Sequence, residues 1–363
     1  MSARSRAERG NEITTRYPLP TIHYPLACLV FVLTFLTSSA RADEKDAEKS
    51  AAKLVTPAAE RAIDLGLKWL VSQQHDDGGI GSGPSRGNVA ICALSGMALM
   101  SEGSTPGRGL YGGPLNRCVD YLLANSQPSG FIVGSDAGHG PMYGHGFATM
   151  FLAECYGMSP RGELREKLSK AVKIIIGSQN KDGGWRYQPV RADADISVTV
   201  CEIMALRAAR NAGLFVPNET ISHAIDYVKR SQNADGGFMY MLQGGESAFP
   251  RSAAAVTALY SAGIYKGPEI TKGLDYLMQF IPAQGAARSE GYYFYGQYYA
   301  VQAMWQAGGE RWRRWYPAVR DDLIARQHDD GSWQAAGEGN ECGTAMACIV
   351  LQIPNNYLPI FQR

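Results

Sequence analysis

Residues 178–185 read SQNKDGGW, an octet that combines an amide, an acid, two glycines and an indole. Related segments begin at Gln74, Gln127, Gln232 and Gln327, where the sequence reads QHDDGGI, QPSGF, QNADGGF and QHDDGSW. The glutamines at 74, 127, 179 and 232 follow one another at intervals of 52 or 53 residues. A constant period of this length indicates a structural repeat, which must be recognised before any single segment is interpreted as a site.

The flanks of each segment have the same organisation. The stretch before it is amphipathic with helical spacing, as at Ile221, Ala224, Ile225 and Val228, whereas the stretch after it is apolar nearly all round, as in VAICALSGMALM and FATMFLAECYGM. A helix with one apolar stripe belongs to an outer layer, and a helix that is apolar on every side must be covered on every side. Units begin near residues 58, 115, 164, 219, 269 and 316. The pattern predicts an all-α ring of six outer–inner helix pairs.

The repeated octet is expected to be structural. Asp-Gly-Gly supplies the backbone conformations that end an outer helix and reverse the chain, the aromatic residue wedges between neighbouring pairs, and glutamine bridges exposed helix-end groups. A residue type that recurs at equivalent places around a ring is not expected to form one catalytic centre. The residues assigned to this motif are Gln179, Asp182, Gly183, Trp185, Gln232, Phe238, Gln327 and Trp333.

These repeats resemble the QW-type repeat of the terpenoid cyclase and protein prenyltransferase superfamily, over residues 58–363. MYGHGFATMFLAECYGM, DGGWRYQPVRADADISVT and YLPIFQR resemble exported single-toroid bacterial proteins called prenyltransferase/squalene oxidase repeat proteins. The resemblance implies an (α/α)6 toroid, and a squalene- or terpene-cyclase-like protein that binds or cyclises an isoprenoid in its central cavity. Activity does not follow from fold alone, so an isomerase- or cyclase-type enzyme stays one hypothesis among several.

DADISVT is the strongest candidate for chemistry. It resembles the D-x-D-D-T motif of squalene-hopene-type cyclases, which implies Asp195 as the proton donor and Asp193 as its neighbour. Ile196 stands where those cyclases carry a further aspartate, and protonating an alkene requires a strong acid in a dry site. The alternative is that Asp193 or Asp195 caps the following helix, where an acid is favoured by the helix dipole.

Other polar residues are expected around the same mouth of the ring. Aligning Thr149 with Thr199 places His145 level with Asp195, so His145 is also expected at this mouth. The remaining candidates for the mouth or the cavity are Asn88, Arg251, Tyr295, Tyr298 and Glu341. Such a group in a concave pocket is typical of a binding site, although helix N-termini also favour polar residues. The aromatic segment 291–305 either faces a carbocation or fills the groove left by the degenerate fifth repeat.

The N-terminal residues differ from the rest. Four arginines precede the apolar run PLACLVFVLTFLT, and SSARAD supplies an A-x-A pattern. We expect a signal peptide over 1–42, a polar linker over 43–57 and the toroid over 58–363, with the protein periplasmic or secreted after cleavage. An uncleaved anchor is the alternative. Membrane contact is expected through this segment alone, and the remaining six cysteines are expected mainly as small buried residues.

Several classes of function are excluded or weakened by the sequence. A formal net charge of +1 gives no sign of a nucleic-acid partner. No P-loop, G-x-S-x-G or H-E-x-x-H motif occurs, and no convincing zinc constellation is present, so neither a metal nor a cofactor is expected. Two alternatives to an isoprenoid-binding cyclase-like protein remain: an exported polysaccharide lyase or hydrolase with a glycan substrate, and a non-catalytic binding or scaffold protein.

Overall fold

The computed structural model describes residues 53–135, 140–159, 161–282, 292–337 and 339–362. The expected signal peptide over 1–42 and residues 43–52 of the expected linker lie outside these residues. Within them, no strand forms, and the extended backbone is limited to isolated bridges. The fold is all-α, as predicted.

Twelve α-helices alternate between an outer and an inner layer. The outer helices are α1 (Pro57–Ser72), α3 (Gly112–Ala124), α5 (Gly162–Ser178), α7 (Asn218–Arg230), α9 (Pro268–Leu277) and α11 (Gly309–Arg326). The inner helices are α2 (Val89–Ser101), α4 (Pro141–Tyr156), α6 (Ile196–Asn211), α8 (Phe249–Ser261), α10 (Tyr293–Ala307) and α12 (Asn340–Gln352). The six helix pairs predicted from the period of the sequence are therefore present.

The inner helices form a closed ring. Each packs against the inner helix before and after it, and α12 packs against α2, which joins the last repeat to the first. Nearly every residue of α2 is buried, whereas the outer helix α7 buries one stripe that includes Ile221, Ala224 and Val228. This difference follows from the all-round apolar character of one layer and the amphipathic character of the other.

The repeated glutamines hold neighbouring units together. Gln179 donates through Nε2 to the carbonyl oxygen of Gly183 in its own turn and to that of Thr220 in α7, both at 2.9 Å. Gln232 does the same towards α9. Gln327 bonds the carbonyl oxygen of Ala62 in α1 at 2.8 Å, so the same contact also closes the ring. The predicted bridging role of glutamine is confirmed.

The glycine and the aromatic residue of the octet each occupy a tight place. Gly183 has φ +94°, and a Cβ added there would lie 2.1 Å from the carbonyl oxygen of His223, so no other residue fits. Trp185 is fully buried and donates from Nε1 to the carbonyl oxygen of Ile175 at 2.7 Å. Trp333 and Phe238 are also buried, the former against α1 and the latter against α9. Asp182 forms an exposed ion pair with Arg230 of α7 at 3.2 Å.

Most of the cysteines in the toroid are buried and unpaired. Five cysteines are buried and form no disulfide: Cys92, Cys118, Cys155, Cys201 and Cys348. This agrees with their interpretation as small core residues. In the part of the chain that the structure describes, no helix combines the length and apolar content needed to span a bilayer.

Candidate ligand-binding cavity

A cavity of about 640 Å³ opens at the end of the ring where the inner helices begin. All six inner helices contribute to its wall, through residues that include Leu94, Phe147, Ser197, Arg251, Tyr295 and Met346. Because each of these residues lies in the first two turns of its helix, the wall belongs to one end of the ring. The volume lies within the range usual for small-molecule sites.

Six aromatic side chains contribute to the wall. They are Tyr143, Phe147, Tyr187, Tyr240, Tyr292 and Tyr295. Among the described residues that line the cavity, none is a carboxylate or a histidine, and Arg251 carries the one formal charge. The site is therefore an apolar, aromatic pocket with a single cationic side chain.

Three of these tyrosines, Tyr143, Tyr187 and Tyr240, were not predicted. Tyr187 and Tyr240 lie in the segments that lead into α6 and α8, and their hydroxyl oxygens are 2.5 Å apart. Each follows the aromatic residue of its turn by two positions, in GGWRY and GGFMY. A search for a second periodic feature beside the octet would have identified this pair.

Asp195 combines a capping role with an unusual carboxyl oxygen. Its Oδ1 caps α6 by accepting from the backbone N–H groups of Ser197 at 2.9 Å and Val198 at 3.0 Å. Its Oδ2 is buried, has no hydrogen bond to another described residue, and lies 3.7 Å from Nε of Arg186. Burial raises the pKa of Asp195 to about 6, against the opposing effect of the cap hydrogen bonds, Tyr240 and Arg186. The cap predicted as the alternative is therefore present, and the second oxygen lies beside Arg186.

Asp195 does not itself line the cavity. Its side chain is fully buried, and its neighbours Ser197 and Tyr240 form the wall in front of it. Asp193, by contrast, is half-exposed and pairs with Arg186 at the surface. The two acids of the motif are therefore in different environments, and Arg186 lies beside both.

His145 does not line the cavity, so its expected place at the mouth is wrong. The ring is fully buried: Nδ1 accepts from the backbone N–H of Ile132 at 3.1 Å, and Nε2 is 3.0 Å from the carbonyl oxygen of Ala171. Burial lowers the pKa of His145 to about 4, so the ring is neutral at pH 7. With both nitrogens occupied by backbone groups, this histidine has no position free for acid–base chemistry.

A recurrent hydrogen bond gives the reason for this error. The backbone N–H of Trp185 donates to Oγ1 of Thr199 at 3.0 Å, as that of Ile132 donates to His145. In the turn before α8, the backbone N–H of Phe238 donates to Oγ of Ser252 at 2.8 Å. In the turn before α12, that of Trp333 donates to Oγ1 of Thr344 at 2.9 Å. His145 is therefore equivalent to Thr199, four residues later than the sequence alignment assumed.

The true counterpart of Asp195 is Asn88. It caps α2 by accepting from the N–H of Ala90 at 2.9 Å and of Ile91 at 3.4 Å, and it lines the cavity. Among the other predicted residues, Arg251 and Tyr295 also line the cavity.

Two predicted residues lie away from the mouth. Tyr298 is fully buried, with its ring 6.3 Å from that of Phe147, so it lies behind the wall. Glu341 is buried in the first turn of α12 but does not line the cavity. Much of the aromatic segment 291–305 packs into the core, where Tyr293 donates a hydrogen bond to Asp322 of α11. The segment therefore contributes both to the core and, through Tyr292 and Tyr295, to the cavity wall.

No metal site was found in the ranges that the structure describes, since no group of three His, Cys, Asp or Glu side chains lies suitably close together. The chemistry available to the cavity is accordingly that of aromatic faces, hydroxyl groups and one guanidinium.

Comparisons with known proteins place this fold. The sequence profile of the prenyltransferase alpha-alpha toroid domain matches residues 28–148 and 162–291. No curated protein matches the chain in sequence. The structure resembles apo type II terpene cyclase MstE from Scytonema, with a TM-score of 0.60 and 15% identity over 84% of this chain and 100% of that one.

Carbohydrate enzymes share the same architecture. Cellobiose 2-epimerase from Spirochaeta thermophila DSM 6192 aligns with a TM-score of 0.59 and 13% identity, over 86% of this chain and 98% of that one. At such identities the likeness establishes the fold alone. Because the profile matches more than half of the sequence, the protein belongs to the prenyltransferase alpha-alpha toroid domain family.

Proposed function

We propose that this protein is a terpene-cyclase-like toroid that binds an isoprenoid in its central cavity. The observation that carries the proposal is the wall of the cavity, which is aromatic and apolar and contains no carboxylate or histidine among the described lining residues. An isoprenoid chain gains free energy when its apolar surface leaves water, and its double bonds pack well against aromatic faces.

A structural relative gives this proposal a precedent. Structures of MstE are described in complex with geranylgeranyl dihydroxybenzoate as substrate and with merosterolic acid A as product. Those ligands belong to MstE. They support the inference that a toroid of this kind can bind a molecule with an isoprenoid chain.

Binding is better supported than cyclisation. Protonating an alkene requires a strong acid in contact with the double bond, whereas the pKa of Asp195 is raised to about 6 and its carboxyl lies behind the wall. A raised pKa means a weaker acid, so burial opposes the chemistry that the motif implies. Asp195 is therefore the candidate acid of any cyclase activity, but the function that we assign is ligand binding.

The carbohydrate alternative has less support from the wall. Lyases and hydrolases use carboxylates, histidines or tyrosines that reach the substrate for acid–base catalysis. The tyrosines are present, but the described lining offers no carboxylate to work beside them.

We also propose that the protein is periplasmic or secreted, because the sequence predicts a signal peptide that is cleaved after Ala42.

Titration calorimetry with geranylgeraniol and with cellopentaose tests the proposal on the folded chain. Ala90, in the wall, is replaced by tryptophan to fill the cavity. As the matched control, tryptophan replaces Ala234, an exposed residue of the turn that begins at Gln232. We expect geranylgeraniol to bind the wild type and Ala234→Trp but not Ala90→Trp, with all three melting cooperatively. Binding of cellopentaose that Ala90→Trp abolishes would instead establish a glycan site.

A further inference from the structure

Arg251 is a cation in the wall of an apolar cavity and has no anionic partner among the described residues. It lies in the first turn of α8, half-buried, with Nε 3.0 Å from the carbonyl oxygen of Phe238 and Nη2 2.6 Å from that of Glu246. Both partners are neutral backbone groups, which fix the guanidinium in place without compensating its charge. In the described part of the chain, no carboxylate forms an ion pair with it.

The nearby acids do not supply that compensation. Asp193 and Asp195 lie before the neighbouring helix α6, and both interact with Arg186. Glu246 approaches Arg251 through its backbone oxygen rather than through its carboxylate. Nη1 of Arg251 has no hydrogen-bond acceptor among the described residues. A guanidinium held in this way retains N–H groups for an incoming oxyanion.

The helix termini around Arg251 strengthen its positive field. The inner helices all begin at this end of the ring, and four of them have no side-chain cap at the N-cap position: α4 at Gly140, α8 at Ala248, α10 at Tyr292 and α12 at Gly339. In contrast, Asn88 and Asp195 cap α2 and α6. Uncapped first-turn N–H groups and the helix dipole both favour an anion. α8, which carries Arg251, is followed in the ring by α10 and α12, whose N-termini also have no side-chain cap.

We propose that the ligand is an anionic isoprenoid, whose apolar chain fills the cavity and whose carboxylate binds Arg251 and the first turn of α8. This inference rests on the proposed function and adds the head group of the ligand. A single guanidinium matches a carboxylate or a monophosphate. A diphosphate held through Mg²⁺ fits less well, since the described lining has no carboxylate to bind that ion.

Two ligands that share one chain separate this inference from the proposed function. Geranylgeranoic acid and geranylgeraniol differ in the head group, so binding of the alcohol tests the cavity and the preference for the acid tests Arg251. We expect the wild type at pH 8 to bind the acid about tenfold more tightly than the alcohol, the usual scale for one charge-assisted contact. The preference should weaken with added salt.

Arg251→Gln should remove the preference by weakening the acid about tenfold while leaving the alcohol within about threefold. Arg251→Lys, which keeps the charge, should retain part of it, and Arg230→Gln on the outer surface should change neither. Melting curves confirm that each variant folds. Geranylgeranyl monophosphate distinguishes the two head groups: we expect it to bind more weakly than the acid, and tighter binding would reassign the site to a phosphate.

Equal affinity for acid and alcohol in the wild type would overturn the inference and leave the proposed function standing. The same holds if Arg251→Lys, as a folded protein, loses both ligands equally. If neither ligand binds, the proposed function fails and the inference fails with it.

Discussion

Nδ1 of His145 accepts a hydrogen bond from the backbone N–H of Ile132, while Nε2 of the same ring bonds the carbonyl oxygen of Ala171 in α5. One buried side chain thus connects a turn, an inner helix and an outer helix. His145→Ala should cost about 1–3 kcal/mol of unfolding free energy, because it leaves two buried backbone groups unpaired. His145→Thr should cost less, since a hydroxyl serves the equivalent turn at Thr199. Chemical denaturation measures both.

The pH dependence of stability gives a second readout for His145. Its pKa is about 4 when folded and ordinarily 6.5, so the unfolded chain takes up the proton first as the pH falls. The stabilisation that neutral His145 contributes is complete above pH 6.5 and is lost as the pH falls from 6.5 to 4. The stability difference between the wild type and His145→Thr should therefore shrink over that window. An unchanged difference, or lost geranylgeraniol binding in a normally melting variant, would return His145 to the site.

Trp185 and Trp333 should act as packing residues. Each indole is fully buried and donates to a carbonyl oxygen of the preceding outer helix. Trp185→Ala and Trp333→Ala should each lower the unfolding free energy by about 3–5 kcal/mol, because the surroundings relax only partly around the lost side chain. Ligand binding measured below the melting transition should persist. Normal stability with abolished binding would show that the indoles serve the site.

Periodicity was sufficient to predict the ring. A 52- or 53-residue interval between glutamines, with one amphipathic and one apolar flank, specifies helix pairs before any contact is known. The site was harder to predict, because polar residues at helix starts serve as caps, turn anchors or wall residues, and sequence spacing does not separate these roles. His145 was misaligned by one helical turn for this reason. Arg251 and Asn88 were placed at the mouth, whereas the Tyr187–Tyr240 pair was missed.

Glu202 should destabilise the folded protein at neutral and higher pH. It lies fully buried in α6 against Gly146, and neither carboxyl oxygen has a hydrogen-bond partner among the described residues. Burial raises its pKa well above the usual 4.5. The unfolded chain therefore releases the proton more easily, and stability is lost as the pH rises above 4.5 through the folded pKa. Glu202→Gln should be more stable than the wild type at pH 8 and lose that advantage towards pH 4.

Exposed Glu60 provides the matched control for that comparison, because Glu60→Gln removes a carboxylate from the surface of α1. The melting temperature of Glu60→Gln should follow that of the wild type between pH 4 and pH 8. A Glu202→Gln variant that is less stable at pH 8 would show that the buried carboxylate is compensated by an interaction formed only in solution.

Asp195→Asn should preserve the helix cap, since asparagine is as good an N-cap as aspartate. The pKa of Asp195 is raised from 3.8 to about 6, so its ionisation weakens folding as the pH rises from 3.8 to 6. The variant should be at least as stable as the wild type at pH 7.5. Loss of geranylgeraniol binding by this stable variant would show that the carboxyl group contacts the ligand.

Ile196→Asp restores the acidic pattern of the cyclases, and we expect it to restore no cyclisation. Ile196 is fully buried outside the described cavity wall, and its N–H bonds the carbonyl oxygen of Tyr240 at 2.9 Å. An aspartate there is buried without reaching the ligand, so it should cost stability rather than activate Asp195. Gas chromatography of geranylgeraniol incubated with the wild type or the variant should show no cyclic product. A cyclic product above the level of Asp195→Asn would establish Asp195 as a working acid and change the function from binding to catalysis.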